Sequence, residues 1–167
     1  PAPKKILSAV LVGDDSASIS FLKQKEKAAK ELAVDFRLYK FSPDLTSDDL
    51  RKEVGRIANQ KLVGGVIVQL PLPEQVNEHY VLNAVPREKD IDVLGERALG
   101  AFYTLRNPVL PPAVGAVQEI LRMMNYEDRI KEMKAAIVGR GLLVGKPIAV
   151  WLMRNVRELY VLGHNSD

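Results

Sequence analysis

The sequence predicts an α/β fold, and two observations carry that expectation. Short apolar runs rich in Val and Ile recur between stretches of helical periodicity, with Gly, Pro, Asp and Ser at the junctions. Strands that alternate with helices at this spacing pair in parallel through crossover helices. With 167 residues, 47% of them hydrophobic, the chain has enough apolar surface for a packed core, which rules out disorder as its general state.

Residues 6–12 form an apolar run that stops at Gly13-Asp14-Asp15, as a buried strand ending in a turn does. Ser16 or Ser18 is expected to cap a helix running to about Ala33. Residues 35–41 alternate loosely through Phe36, Leu38 and Phe41 and predict a second strand. Thr46-Ser47-Asp48-Asp49 opens the next helix, with acidic residues where the macrodipole favours them, and Leu50, Val54, Ile57 and Ala58 mark its apolar face. A third strand is expected over residues 64–70, stopped by Pro71-Leu72-Pro73, and then a helix over residues 74–84. Residues 86–112 have weak periodicity and are expected to be an irregular connection holding the domain boundary. Helix resumes over residues 113–125, followed by a strand at 135–138, a glycine-bearing turn, a helix to about Met153 and a strand at 159–162. This last unit is how a dinucleotide-binding half begins. Such a half needs further strands, so the second domain is expected to be incomplete.

Charge is nearly balanced, 24 Lys and Arg against 21 Asp and Glu. A pI near 9.1 without a long basic run gives no nucleic-acid footprint. There is no cysteine, which excludes disulfides and thiolate chemistry, and the only histidines are His79 and His164, so no metal is expected. No apolar run approaches the ~18 residues of a membrane span, and no signal-peptide pattern follows Pro1-Ala2-Pro3-Lys4-Lys5. A soluble cytoplasmic protein is therefore expected. The absence of an initiator Met suggests a processed or excised chain.

Four groups of residues are candidates for chemistry. Lys25 lies four residues after Phe21, in line with Ala28 and Leu32, on the expected inward stripe of the first helix. A lysine there either snorkels to water or lines a cavity in which burial lowers its pKa. Gln69 sits at the C-terminal end of an apolar strand, where open α/β sheets place ligand groups; loop backbone is the alternative partner for its amide. Asp90 and Asp92, two apart in extended chain, would point the same way and form a pair or a metal site, or else belong to a solvated turn. Finally, Gly139-Arg140-Gly141-Leu142-Leu143-Val144-Gly145-Lys146-Pro147 follows a strand and opens a helix. Its glycines let backbone amides approach a pyrophosphate, although a tight turn without ligand has the same composition.

Further blocks join these: Val10-Leu11-Val12-Gly13-Asp14-Asp15-Ser16-Ala17-Ser18, Lys25-Glu26-Lys27-Ala28, and Gly64-Gly65-Val66-Ile67-Val68-Gln69-Leu70-Pro71-Leu72-Pro73. With Lys89-Asp90-Ile91-Asp92, Val138-Gly139-Arg140 and Val144-Gly145-Lys146-Pro147, they resemble the bifunctional methylenetetrahydrofolate dehydrogenase/cyclohydrolase family, in the family's order and over nearly the whole chain. The resemblance implies an N-terminal α/β/α folate-binding catalytic domain, residues 1–112, followed by the start of a Rossmann-like NAD(P)-binding domain, residues 113–167. It implies oxidation of methylenetetrahydrofolate to the methenyl form with NADP, NAD being possible, and hydrolysis of that to formyltetrahydrofolate. Lys25 matches the lysine of the family's Tyr-x-x-x-Lys motif, Gln69 the glutamine that tunes it, and Asp92 the aspartate that holds the pterin ring. Phe21, Leu70 and Pro71 join Asp92 as implied substrate contacts. Gly139, Arg140, Gly141, Val144, Gly145, His164 and Asn165 are the implied cofactor contacts. Tetrahydrofolate derivatives are the implied partners, with no nucleic acid or membrane, and the intact protein would be a homodimer.

Several positions depart from the family pattern. Phe21 replaces the motif's tyrosine and Val93 the glycine after the aspartate. Ala113-Val114-Gly115-Ala116 stands for Thr-Pro-x-Gly, Gly141 for a serine, and Asn165 for the serine after His164. Arg140 keeps a cation for a 2′-phosphate, which favours NADP over NAD. The family has a helix before the first strand and further residues completing the cofactor sheet, so a fragment is expected. A non-catalytic folate- or nucleotide-binding homologue is the alternative reading.

Overall fold

The structure is a computed structural model and describes residues 5–163. The chain divides into two compact units, Pro1–Pro108 and Val109–Asp167, so the division precedes the Pro111-Pro112 pair.

In the first unit, β1 (Ile6–Val12) is the centre of a three-stranded parallel sheet of order β2-β1-β3, flanked by β2 (Asp35–Phe41) and β3 (Val63–Val68). Register runs from Ile6 opposite Asp35 to Val12 opposite Phe41, and Val10 pairs with Val68 on the other side. Because successive side chains of a strand point to opposite faces, β1 serves two cores. Ile6, Val10 and Val12 enter the larger one, with Leu50, Val54, Ile57 and Ala58 of α2 (Ser47–Ala58). Ala9 and Leu11 enter the smaller one, where Leu22 of α1 (Ser16–Glu31) covers the sheet. The predicted face of α2 is thus the buried one, and Thr46 caps that helix by accepting from the Asp49 N–H at 3.1 Å.

Three expectations need correction. The cap of α1 is Asp15, not Ser16 or Ser18: its carboxylate accepts from the Ser18 N–H at 2.7 Å, one of the helix's first unpaired donors. The stripe of α1 that seals against the sheet is Ser18, Leu22 and Ala29, whereas Phe21 and Leu32 are 64% and 76% exposed. A helix buries about one residue in four on a narrow contact, so an offset of one position turns the stripe by ~100°. Third, the helix expected over residues 74–84 contracts to α3 (Glu78–Leu82), capped by Asn77. Pro73 instead closes a turn by accepting from the Val76 N–H at 2.8 Å.

Residues 86–112 are more regular than their pattern suggests. A 3-10 turn at Arg87–Lys89 leads to α4 (Glu96–Tyr103), whose buried stripe is Ala98, Ala101 and Phe102. Two small side chains in that stripe carry too little apolar signal for a periodicity argument. Lys89 pins the approach to α4 by donating from Nζ to the Ala58 carbonyl at 2.5 Å and the Gln60 carbonyl at 3.2 Å.

In the second unit, α5 (Pro112–Met123) opens on a proline, whose missing N–H has no helical partner to lose at that position. β4 (Lys134–Val138) and β5 (Glu158–Leu162) pair in parallel, Lys134 opposite Glu158 and Val138 opposite Leu162, with α6 (Gly145–Asn155) as the crossover. Among the described residues these two strands are the unit's sheet.

Candidate active site

The C-terminal ends of β1 and β3 lie side by side. The Gln69 N–H extends their ladder by one bond, donating to the Val10 carbonyl at 2.9 Å. This fixes the Gln69 backbone beside the start of α1, and α1 in turn carries Lys25 over the strand end. Lys25 Nζ donates to Gln69 Oε1 at 3.4 Å. An ammonium has only donors, so it needs the carbonyl side of that amide. The amide's other half, Nε2, donates to the Leu70 carbonyl at 2.7 Å. The buried Ser18 hydroxyl donates to the same carbonyl at 3.4 Å.

Asp92 completes the group. Its Oδ2 lies 3.7 Å from Lys25 Nζ, with the two side chains 19% and 35% exposed respectively. Burial pushes the Asp92 carboxyl up from its ordinary value. The Lys25 ammonium pulls it down by charge and by hydrogen bonding, and the nearby Asp90 charge pushes it up again. The net direction is upward, so loss of water outweighs the single cation.

Asp90 and Asp92 turn to different partners. Asp90 is 5% exposed and turns its oxygens to its own chain, accepting from the Gly95 N–H at 2.8 Å and the Leu94 N–H at 3.0 Å. The expectation that the two carboxylates point the same way fails because the chain turns between them. Val93, in that turn, has φ +56°. Among the described residues no three His, Cys, Asp or Glu side chains gather in a metal-holding group.

The structure therefore brings Lys25, Gln69 and Asp92 together. Leu70 and Pro71 continue directly from Gln69, and Phe21 lies one helical turn before Lys25 with its ring exposed. Ser18 was legible only as a helix cap. The signal for its place in the site is the spacing of Ser18, Leu22, Lys25 and Ala29, which follows one helix face.

Gly139, Arg140, Gly141, Val144 and Gly145 form the turn between β4 and α6 in the second unit. Gly139, at φ +104°, donates its N–H to the Leu162 carbonyl at 2.9 Å. A side chain at Gly145 would place Cβ 2.2 Å from the Gly139 carbonyl oxygen, so only glycine lets the helix start so close to the strand. Val144, at the N-cap of α6, makes no side-chain capping bond, and a shallow cleft of about 390 Å³ lies over the turn. The Arg140 guanidinium packs on Gly163, where a Cβ would meet its Cζ at 3.1 Å. His164 and Asn165 lie outside the described residues.

Residues 2–92 match the family model of the tetrahydrofolate dehydrogenase/cyclohydrolase catalytic domain. The chain belongs to that family. Among curated relatives, the bifunctional protein FolD of Staphylococcus haemolyticus is 32% identical over 89% of this chain and 51% of its own length. That of Staphylococcus carnosus is 31% identical over 96% and 56%. The solved structure of the bifunctional enzyme FolD from Campylobacter jejuni superposes with a TM-score of 0.91, at 25% identity, over 98% of this chain and 58% of that one. A FolD from Trypanosoma brucei, solved in complex with NADP cofactor and an inhibitor, gives 0.88 at 27% identity over 97% and 55%. The chain thus spans about half the length of the curated relatives it matches. Against the dehydrogenase/cyclohydrolase pattern, the position of Val93 gains a physical meaning: the family's glycine falls where this backbone is left-handed.

Proposed function

We propose that this chain carries the folate site of an enzyme of one-carbon metabolism. The intact protein oxidises methylenetetrahydrofolate with NADP, NAD serving as a possible substitute, and hydrolyses the methenyl product to formyltetrahydrofolate. The observation that carries this reading is the convergence of Lys25, Gln69 and Asp92 at the end of the sheet. An aspartate suits the pterin because its carboxylate accepts from two adjacent N–H donors at once. Leu70, Pro71 and the Phe21 ring supply apolar surface around that ring. Hydrolysis of a methenyl cation needs an attacking water and a group to take its proton. Lys25 is the base of this reading, and Gln69 Oε1 orients its Nζ.

Three observations support a dinucleotide in the second unit: the close approach of Gly145 to Gly139, the N-cap Val144 without a side-chain capping bond, and the Arg140 guanidinium at the end of β5. In this reading the N–H groups of the turn, with Gly141 and Val144, would face the pyrophosphate, while Arg140 would pair with a 2′-phosphate. His164 and Asn165 belong to the same proposed cofactor group. The nicotinamide, when bound, supplies the hydride acceptor. The domain limits proposed are 1–112 for the folate domain and 113–167 for the start of the cofactor domain. A cytoplasmic homodimer feeding purine biosynthesis is the proposed setting of the intact enzyme.

The test is hydrolysis of methenyltetrahydrofolate by the chain, with a Lys25→Met variant alongside, and reduction of NADP or NAD by methylenetetrahydrofolate. Lys25→Met should lose hydrolysis by about a hundredfold or more while retaining folate binding. Retained hydrolysis would remove Lys25 from its role. Phe21→Tyr should raise hydrolysis severalfold by restoring a hydroxyl one turn from Lys25, and an unchanged rate would show that this hydroxyl does not limit the reaction. Binding of tetrahydrofolate with no turnover in any variant would leave a non-catalytic homologue.

A further inference from the structure

Asp90 is a buried carboxylate that the proposed chemistry does not use. Its backbone pairs with Val66 in the middle of β3 through an isolated parallel bridge, which ties the residue to the sheet. Its side chain reaches forward instead: Oδ2 accepts from the Gly95 N–H at 2.8 Å and the Leu94 N–H at 3.0 Å, and Oδ1 from Leu94 at 3.3 Å. A Cβ on Gly95 would lie 3.1 Å from Oδ2, tighter than ordinary contact, so glycine there makes room for the carboxylate. Between these two anchorages the chain is closed into a turn, with the Val93 N–H meeting the Asp90 carbonyl at 3.4 Å. Asp92 rides on that turn, outside any helix or strand. Its place 3.7 Å from Lys25 thus depends on what closes the turn.

We propose that Asp90 is a positioning residue: by binding the Leu94 and Gly95 N–H groups, its carboxylate holds Asp92 in register with Lys25 and Gln69. The consequence for turnover rests on the folate reading given above. The positioning itself does not. The charged groups facing Asp92 are Lys25 from α1 and Asp90 from its own turn. Two carboxylates against one ammonium leave the site with an excess negative charge, which suits a cationic methenyl ligand.

The experiment compares the full chain with Asp90→Ala and Asp90→Asn, the latter keeping one acceptor oxygen and losing the charge. The first readout is the titration of the Asp92 carboxyl carbon by NMR, assigned with Asp92→Asn. Both variants remove the Asp90 charge equally, so the positional effect is the difference between them. Asp90→Ala, which also loses the bonds to the Leu94 and Gly95 N–H groups, should titrate Asp92 at a midpoint distinct from that in Asp90→Asn. The second is hydrolysis of methenyltetrahydrofolate, where Asp90→Ala should reduce kcat by roughly ten- to a hundredfold and Asp90→Asn by less. The same Asp92 midpoint in the two folded variants overturns the proposal, as does undiminished hydrolysis in Asp90→Ala if the parent is active. If Asp90→Ala does not fold, Asp90→Ser takes its place in the comparison with Asp90→Asn. If the parent neither binds nor hydrolyses the folate, the proposed function fails, and the NMR titration alone still judges Asp90.

Discussion

Val93 shows how much one side chain can ask of its backbone. It is 1% exposed and stands at φ +56°, where a β-branched residue is strained by about 1–3 kcal/mol. Its burial stabilises by a similar amount, about 1.5–3 kcal/mol. Val93→Gly removes both, and Val93→Ala loses packing while keeping a Cβ in the left-handed region. Val93→Gly should therefore destabilise no more than Val93→Ala, each within about 2 kcal/mol of the parent, in denaturant unfolding. A clearly worse glycine variant would show that the strain is small. Asp92 makes the second prediction at this scale. Its folded-state pKa is raised by burial, so the folded chain binds its proton more tightly than the unfolded chain does. The stability contributed is then full below the unfolded carboxylate pKa, about 4, and is lost as pH rises through the raised value. Asp92→Asn abolishes that loss. It should melt above the parent at neutral pH, and the difference should close as pH falls below about 4. A lower melting temperature at neutral pH would mean that the Lys25 pair outweighs desolvation.

Among the elements, α2 and α4 mark the range of what a periodic pattern reveals. Leu50, Val54 and Ile57 are fully buried, and three branched side chains at helical spacing announce their face. The stripe of α4 is two alanines and a phenylalanine, too small to stand out from a connection. α1 fails differently: Phe21 and the C-cap Leu32 suggest a face, yet both are exposed, while the buried face combines Leu22 with a serine and an alanine. The strand-to-helix turn at Gly139–Gly145 supports a sharper prediction. With a Cβ 2.2 Å from the Gly139 oxygen, Gly145→Ala must push α6 away from β4. Amide exchange of α6 and β4 should then quicken by about a hundredfold, a loss near 2–3 kcal/mol, since backbone rather than a flexible side chain has to shift. Unchanged protection would mean that the turn relaxes freely.

In the whole molecule, the residues proposed for folate and those proposed for a dinucleotide fall in different compact units, before and after Pro108. Gly145→Ala should accordingly depress NADP reduction far more than methenyltetrahydrofolate hydrolysis, a ratio measurable on one sample. Equal loss of both would place the hydrolytic site under control of the second unit. Much of this organisation was readable in advance. Alternating apolar strands and helices specify a parallel α/β sheet because strand and helix periods differ, and burial rewards only the matching one. The motif residues Lys25, Gln69 and Asp92 were identifiable from local patterns and their family resemblance, with Lys25 inside α1, Gln69 just past the end of β3 and Asp92 in a turn. Three other features needed the folded chain. The stripe of α1 that is covered depends on where the β1 and β3 side chains leave room. The orientation of Gln69 depends on the Leu70 carbonyl and the Lys25 ammonium, 44 residues away. The division of labour between Asp90 and Asp92 depends on a turn whose closing hydrogen bonds and bridge to Val66 form only once β3 is in place. Periodicity is a local property of the chain, whereas burial, hydrogen-bond partnership and the sign of a pKa shift are properties of neighbours that folding alone supplies.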